Sequence, residues 1–208
     1  MAELALRRYS WEEYLQLEEV SVEKNEYFDG HILAMAGGSP EHAILSAVIT
    51  AMLWNGLIGR PCTVHSSDQR LRVLATGLAT YPDVSVYCGT RENDPESRDT
   101  LTNPIALVEV LSPSTETYDR TEKFLQYKQI PSLRAYVLVN TRVARLECYS
   151  RGDDGKWSLT EAGPGQALAI SALDVQLDTD AVYAGVELPR AETPRVAKGR
   201  ARKKQVGT

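Results

Sequence analysis

Two acidic residues occur where the sequence otherwise predicts buried strands. Asp83 follows Pro82 at the start of the strand pattern DVSVY, and Glu109 interrupts the apolar run LVEVL. An unpaired carboxylate is costly to bury, so Glu109 requires a cation, a metal ion or exposure at a strand end. If the two strands are neighbours, both carboxylates converge and suit Mg²⁺ or Mn²⁺, which retain bound waters and engage phosphate. The alternative is an edge-exposed Asp83 and a Glu109 paired with an arginine.

A third chemical group lies on the helix that is predicted after this strand, over residues 117–129. Asp119, Lys123 and Tyr127 are spaced by four and therefore share one helical face. Lys123 could reach back over the strand end toward Glu109, where an ammonium group would position an attacking water and stabilise developing charge. Tyr127 is expected to orient Lys123 or to pack beneath it, with Asp119 lining the site. The same stripe is also typical of a solvated helix face.

The elements that must position these residues follow from periodicity, caps and turn residues. SWEE is a capping box that opens a helix at Ser10, and SPE gives a later helix an N-cap followed by proline. Apolar alternation and turn signals predict the remaining elements. They are a helix over 10–19, a strand pair over 26–35 that turns at Asp29-Gly30, a helix over 40–57, strands over 62–73, 83–87, 104–111 and 133–140, a mobile surface loop over 90–103, and an antiparallel meander over 144–150, 156–161 and 167–170. This order predicts an α/β (α+β) domain with a central mixed sheet flanked by helices.

The motifs taken together resemble one known family. TYPDVSV, then LVEVLSPSTETYDRTEKFLQYKQIPSLRAYVLV, with KNEYFDG and SPEH upstream, closely resemble the Uma2 family of endonucleases, which belongs to the PD-(D/E)xK, restriction-endonuclease-like superfamily. The resemblance covers residues 9–188, nearly everything but a basic tail. It implies a core of helix, three strands, helix and strand, and cleavage of nucleic-acid phosphodiester bonds with Mg²⁺.

The resemblance also implies roles for individual residues. Asp83 corresponds to the PD aspartate and Glu109 to the second metal-binding acid. The superfamily pattern has a lysine two residues beyond that acid, where this chain has Leu111. Lys123 stands on the following helix, and the resemblance implies that it supplies the missing group. Glu26 in KNEYFDG matches the family's upstream acid and is expected to add a metal or water contact.

Four polar residues are further candidates for the same site. His42, in the first turn of the SPEH helix, either lines the site or caps the helix. Asp68 in SSDQRL is expected to hydrogen-bond within the site. Ser112 and Ser114 are expected to order the loop that follows the second acidic strand.

Length and composition limit the alternatives. The chain has 208 residues, of which 43% are hydrophobic, and this is enough for one domain over residues 1–188. No apolar run approaches the ~20 residues of a membrane span, and the N-terminus has no secretory signal pattern. The three cysteines, Cys62, Cys88 and Cys148, are far apart, so we expect free thiols in a reducing cytoplasm.

Charge is distributed unevenly along the chain. The formal net charge is −5, whereas residues 189–208 carry seven basic residues against one acid, Glu192. This basic tail is expected to be disordered, and it either adds sequence-independent attraction to phosphates or is simply solvated. The acidic remainder argues against a large basic binding face. It does not exclude a nucleic-acid substrate, because metal-binding carboxylates concentrate negative charge.

These observations predict a metal-dependent endonuclease that acts on nucleic acid, with DNA implied by the resemblance alone. A homodimer is expected because nucleases that cut both strands often pair two active sites. Two alternatives stay open: a nucleic-acid- or protein-binding module that no longer cuts, and a metal-dependent hydrolase of another phosphoester. The sequence has no helix-turn-helix or zinc module for base readout, so it predicts no sequence specificity.

Overall fold

A computed structural model describes residues 7–35 and 37–189. Apart from Pro189, the tail that was predicted to be disordered lies outside these residues. The helices are α1 (Trp11–Val20), α2 (Pro40–Leu57), α3 (Glu116–Tyr118), α4 (Phe124–Tyr127) and α5 (Thr179–Val182). A π-helical turn, Asp119–Lys123, joins α3 to α4, and we call the resulting segment, residues 116–127, the site helix. No helix within the described ranges combines the length and the apolar character needed to cross a membrane.

Fourteen strands accompany these helices in the described part of the chain. In chain order they are β1 (Asn25–Phe28), β2 (His31–Ala34), β3 (Cys62–Ser66), β4 (Arg70–Arg72), β5 (Ala79–Thr80), β6 (Val84–Cys88), β7 (Asn93–Asp94), β8 (Ser97–Leu101), β9 (Ala106–Leu111), β10 (Ala135–Asn140), β11 (Leu146–Arg151), β12 (Trp157–Ala162), β13 (Ala167–Ile170) and β14 (Val175–Asp178).

Local capping signals set the starts of α1 and α2, as predicted. The Ser10 side chain accepts a hydrogen bond from the Glu13 N–H at 3.1 Å, and the Glu13 carboxylate accepts from the Ser10 N–H at 2.8 Å. This reciprocal pair is the capping box. At α2, the Ser39 side chain accepts from the backbone N–H of His42 at 3.3 Å, with Pro40 at the first helical position.

Two six-stranded mixed sheets form the framework. The site sheet has the order β12-β11-β10-β9-β6-β3, and the outer sheet has the order β2-β1-β5-β4-β8-β7. In the site sheet, β9 runs parallel to β10 and antiparallel to β6. The core order implied by the resemblance is present as α2, then β3, β6 and β9, then the site helix and β10. The predicted mixed sheet flanked by helices is confirmed, and the outer sheet accompanies it.

Alternation along β9 determines where Glu109 points. Ala106 and Val108 pack into the core cluster that contains α2, whereas Leu107 and Leu111 pack into a second cluster that contains residues of the site helix. Neighbouring residues of a strand point to opposite faces of a sheet, so Glu109 shares the face of Leu107 and Leu111. Its carboxylate is therefore directed toward the site helix.

The prediction of a mobile surface loop over 90–103 is wrong. The segment contains β7 and β8, and β8 pairs in parallel with β4. Its polar side chains are satisfied within the fold: Thr100 accepts from Arg70 at 2.7 Å, and buried Asp94 forms an ion pair with Arg72 at 2.9 Å. The polar composition of this segment is therefore compatible with a structured hairpin, because buried polar groups are stable when they are hydrogen-bonded.

Two further strand predictions need correction. The single strand expected over 62–73 is interrupted by a turn, so β3 belongs to the site sheet and β4 to the outer sheet. The predicted three-stranded meander ends after β12, because β13 pairs instead with β14 in a separate two-stranded sheet. Leu168 and Leu177 of this small sheet pack into the same core cluster as α2.

The prediction of three free thiols is wrong for two of them. Cys62 and Cys88 face each other across β3 and β6 and form a disulfide, whereas Cys148 is free and buried. The two bonded cysteines are 26 positions apart in sequence. Only the antiparallel register of their strands brings them together, and spacing alone does not reveal it.

Candidate active site

Lys123 is the centre of a cluster of acidic side chains. Its Nζ lies 3.1 Å from Glu109 Oε1, 3.3 Å from Glu26 Oε1 and 3.5 Å from Asp119 Oδ1. Only 5% of the Lys123 side chain is exposed, so these carboxylates rather than bulk water compensate its charge. The cation that Glu109 requires is therefore Lys123. The alternative pairing of Glu109 with an arginine is wrong.

The π-helical turn holds Asp119 and Lys123 on the buried side of the site helix. Both residues lie within the turn, and Tyr127 follows on the same side; all three are buried. The predicted shared face is confirmed, and the alternative of a solvated face is wrong. Single π turns are rare in helices and are frequent at functional sites, because they redirect side chains locally.

Tyr127 contacts the acid rather than the lysine. Its hydroxyl donates a hydrogen bond of 2.8 Å to Glu109 Oε1, the same oxygen that faces Lys123. This differs from the prediction that Tyr127 orients Lys123 or packs beneath it. Two donors on one oxygen fix the Glu109 carboxylate and leave its other oxygen, Oε2, without a hydrogen-bond partner in residues 7–35 and 37–189.

Burial changes the proton affinities within this cluster. Burial raises the pKa of Glu109 to about 8, although the nearby ammonium of Lys123 opposes the increase. Burial alone would lower the pKa of Lys123, but the surrounding carboxylates of Glu109, Glu26 and Asp119 raise it well above its ordinary value. Lys123 is therefore an ammonium at neutral pH even when Glu109 is protonated, because two other acids remain beside it.

Asp83 directly precedes β6 and lies at the start of that strand. Its Oδ2 accepts a hydrogen bond from the Val110 N–H at 2.7 Å, which ties it to the strand that carries Glu109. The ring Nε2 of His42 lies 3.2 Å from the same oxygen. Asp83 Oδ1 has no hydrogen-bond partner in the described part of the chain. The predicted convergence of the two acidic strands is confirmed.

Of the two roles that the sequence left open for His42, the structure shows lining of the cavity, whereas the cap of α2 is Ser39. The His42 backbone N–H donates a hydrogen bond to the Ser39 side chain. The His42 side chain contacts Asp83 and lines the central cavity. The hydrogen bond to Asp83 raises the pKa of His42, and partial burial opposes that increase.

Glu26 reaches the cluster from the outer sheet, on β1. Thr80 donates a hydrogen bond to its Oε1, and Tyr118 donates to its Oε2 at 3.2 Å. Neither donor was predicted from the sequence. Tyr118 precedes Asp119 on the site helix, and its position beside a candidate residue is the signal that could have indicated it. Thr80 has no comparable signal.

A cavity of about 390 Å³ opens onto the cluster. Its polar lining includes the charged residues of the cluster and residues of the loop after β9: Glu26, His42, Asp83, Glu109, Asp119, Lys123, Ser112, Ser114 and Thr115. In that loop the Ser112 hydroxyl is 2.9 Å from the Ser114 hydroxyl and 2.9 Å from the Thr115 hydroxyl. This network confirms the prediction that the two serines order the loop. Asp68 does not line this cavity: its side chain is 84% exposed and pairs with Lys24 at 2.6 Å.

The donor set fits a water-rich divalent cation rather than a fully caged metal. No three acidic, histidine or cysteine side chains within the described ranges are arranged to hold a metal ion. Asp83 Oδ1 and Glu109 Oε2 are nevertheless free, and both residues line the cavity. One or two carboxylates with several waters is the usual coordination of Mg²⁺ in proteins. Three carboxylates contact the Lys123 ammonium and a fourth, that of Asp83, contacts His42, so the cluster carries a net negative charge when all four are ionised.

The stability of the metal-free protein should fall as pH rises from about 6 to 8.5. Glu109, with a pKa of about 8 instead of its usual 4.5, and His42, with a raised pKa, both retain protons longer in the folded state than in the unfolded state. A folded state that binds more protons loses stability with increasing pH. We expect the fall in melting temperature in EDTA to be smaller in His42→Gln and in Glu109→Gln. Equal slopes in the wild type and both variants would contradict this assignment.

The sequence matches a family model and two relatives. A family model named Uma2, described as "Putative restriction endonuclease", matches residues 11–180. The chain is 40% identical over 179 residues to the uncharacterized protein slr1290 of Synechocystis sp., covering 86% of this chain and 93% of that protein. It is 36% identical over 149 residues to the uncharacterized protein sll1609 of the same organism, covering 72% and 84%.

A solved structure shares the fold. The crystal structure of a protein from Anabaena variabilis, described as "a putative nuclease belonging to DUF820", aligns with a TM-score of 0.69 at 15% sequence identity. The alignment covers 83% of this chain and 96% of that one. At this level of identity, the comparison shows a common fold.

Proposed function

The chain belongs to the Uma2 family of restriction-endonuclease-like proteins, and on this basis we propose that it is a metal-dependent endonuclease that hydrolyses phosphodiester bonds of DNA. The observation that carries the proposal is the meeting of Asp83, Glu109 and Lys123 at one cavity. These residues come from two strands and a helix, and the fold leaves the two acids each with one free oxygen.

The charge of the cluster supports a requirement for a divalent cation. A phosphodiester is an anion, and its approach to Asp83, Glu109, Glu26 and Asp119 is opposed by their carboxylates. A Mg²⁺ or Mn²⁺ ion bound by Asp83 and Glu109 would supply the missing positive charge and would activate a water for attack on phosphorus. The carbonyl of Val110 is a further candidate ligand. In an extended strand this carbonyl points to the same strand edge as the Val110 N–H, which donates a hydrogen bond to Asp83.

Lys123 acts in this proposal as a fixed positive charge. Its raised pKa keeps the ammonium protonated, so it cannot serve as the general base at neutral pH. Its contacts with Glu109, Glu26 and Asp119 hold it in one position before substrate binds. A preorganised cation of this kind stabilises the negative charge that develops on the phosphoryl oxygens in the transition state.

His42 and the Val110 N–H act as positioning groups for Asp83. Both contact Oδ2, so they hold the Asp83 carboxylate in one orientation and leave Oδ1 without a partner in the described residues. Tyr127 has the equivalent effect on Glu109 by occupying Oε1. Each acid therefore lines the cavity and keeps one oxygen unpaired within the described residues. This division of the oxygens supports binding of both acids to one ion.

Incubation of the purified protein with supercoiled plasmid DNA tests the proposal. We expect nicking with Mg²⁺ or Mn²⁺, no nicking with EDTA, and no nicking by Glu109→Gln purified in the same way. Glu122→Gln is the matched control, because Glu122 is an exposed residue of the site helix. It should cut like the wild type. Parallel incubations with RNA and with a small phosphodiester test whether DNA is the substrate.

The melting temperature measured with and without Mn²⁺ separates the alternatives. A rise in the wild type but not in Glu109→Gln, without cleavage of any substrate, would support the metal site and contradict the substrate. If the wild type neither cuts nor responds to metal, the endonuclease proposal is wrong. A binding module on a nuclease fold would then be the better explanation.

A further inference from the structure

The outward face of α2 is apolar. Five residues, which we call the outer stripe, follow one another at steps of three and four along the helix and directly after its end: Ile44, Ala47, Ala51, Trp54 and Ile58. The side chains of Ile44, Trp54 and Ile58 are 42%, 56% and 68% exposed. The opposite face of α2, formed by Leu45, Ile49, Leu53 and Leu57, packs into the core. The helix is thus apolar on its solvent side as well as on its buried side.

The outer stripe also lacks charge. Between Glu41 and Arg60 the chain has no aspartate, glutamate, lysine or arginine. A surface helix normally carries charged and polar residues opposite its buried face, and a helix that is apolar all round is normally buried. Contiguous exposed apolar patches of this kind mark interaction sites. Steps of three and four are also the spacing with which helices pack against each other along a seam.

We propose that the outer stripe is the contact surface for a second copy of this chain, with the two α2 helices packed antiparallel about a two-fold axis at Ala51. In this register Ile44 faces Ile58 of the second copy, and the two Ala51 residues meet at the axis. Trp54 lies over Ala47 of the second copy, so a large side chain meets a small one. A two-fold interface requires such self-complementarity, because the same patch serves both copies.

Charge at the ends of α2 supports the same arrangement. Glu41 lies in the first turn, and Arg60 follows the helix with 39% of its side chain exposed while it pairs with Asp174. The antiparallel register places Glu41 of each copy near Arg60 of the other. It also sets the helix dipoles in opposite directions, so that the positive end of each helix lies near the negative end of its neighbour.

The proposed interface borders the candidate active site. Ala47, Ala51 and Trp54 line a groove that Asp83 also lines, beside Ser66 and Ser67 at the end of β3. The second copy would therefore approach each active site along one side. This inference is independent of the proposed endonuclease activity, because its tests measure mass and cross-linking rather than cleavage.

Light scattering during size-exclusion chromatography tests the interface. We expect the wild type, at about 100 μM, to have twice the mass of the 23.0 kDa chain, and Ala51→Arg to have the mass of one chain. Two arginines at the axis repel each other, and we expect a loss of dimer affinity of roughly 100-fold or more. Leu74→Arg is the matched control, because Leu74 is 59% exposed in a turn far from α2 in sequence, and it should remain dimeric.

Cysteine cross-linking tests the register and does not depend on the folding of Ala51→Arg. Under oxidised glutathione, Ala51→Cys should form a covalent dimer, whereas Ala43→Cys, exposed on the same helix but far from the axis, should not. An equimolar mixture of Ile44→Cys and Ile58→Cys should cross-link more than either variant alone. The native cysteines do not interfere, since two form a disulfide and Cys148 is buried.

Several outcomes would overturn the proposal. A monomeric wild type at this concentration would do so, and it is the result expected if nucleic acid or the tail after residue 189 covers the outer stripe. A dimer that persists in Ala51→Arg would mean that a different surface is used. Cross-linking of Ile44→Cys with itself in preference to the mixture would contradict the antiparallel register.

Discussion

Lys123→Met is expected to lower the free energy of unfolding by roughly 3–5 kcal/mol and to reduce DNA cleavage by about 100-fold or more. The lysine is the cation shared by Glu109, Glu26 and Asp119, and its side chain is only 5% exposed. Without it, buried carboxylates face one another with no positive charge between them. For a chain of this length, the loss corresponds to a fall in melting temperature of roughly 6–20 °C.

The stability loss in Lys123→Met should depend on pH in a defined direction. Protonation of Glu109 removes one of the charges that the lysine neutralises, so the loss should shrink as pH falls through the Glu109 pKa of about 8. The double variant Lys123→Met with Glu109→Gln should recover part of the stability, because the two residues are in contact. Lys156→Met, at an exposed lysine, is the control. A Lys123→Met variant that unfolds like the wild type at pH 8 would refute this account of the cluster.

Much of the candidate site could be predicted because its residues conflict with their local environment. Glu109 is a polar residue in an apolar run, and this alone requires a partner. Helical spacing supplied Lys123 as that partner, and the structure places it 3.1 Å away. Asp83 was predictable for a similar reason, since it begins a short apolar strand. For Glu109 a short window of sequence contains both the cost and its compensation, whereas the groups that contact Asp83, the Val110 N–H and His42, are distant in sequence.

The features that could not be predicted depend on register between distant segments. The disulfide between Cys62 and Cys88 exists because two antiparallel strands pair at those positions. Asp68 resembled a site residue in a polar motif, but the turn that carries it faces solvent, where it pairs with Lys24. The hairpin within 90–103 has a loop-like composition, and its polar groups find partners only after the outer sheet has formed. A single sequence contains no local signal for these pairings.

Asp83→Asn is expected to reduce metal-dependent cleavage by about 1,000-fold or more while leaving the fold intact. The asparagine carbonyl can take the place of Asp83 Oδ2 and accept from both the Val110 N–H and the His42 Nε2–H, and the amide NH2 then replaces the unpaired Oδ1. The shape and hydrogen bonds of the side chain are therefore retained, and only the negative charge is lost. Because the cluster has more acids than cations, losing one charge should not lower the melting temperature in EDTA.

The metal response separates this charge effect from a structural one. In the wild type we expect Mn²⁺ to raise the melting temperature, and in Asp83→Asn we expect a much smaller rise. Asp68→Asn is the matched control, because it makes the same chemical change at an exposed aspartate outside the cavity. That control should cut and respond to Mn²⁺ like the wild type. If Asp83→Asn retained both responses, Asp83 would not be a metal ligand, and the free Glu109 oxygen would have to bind the ion without it. A loss of both responses in Asp83→Asn alone would mean that the charge at the end of β6 is needed for metal binding and cleavage.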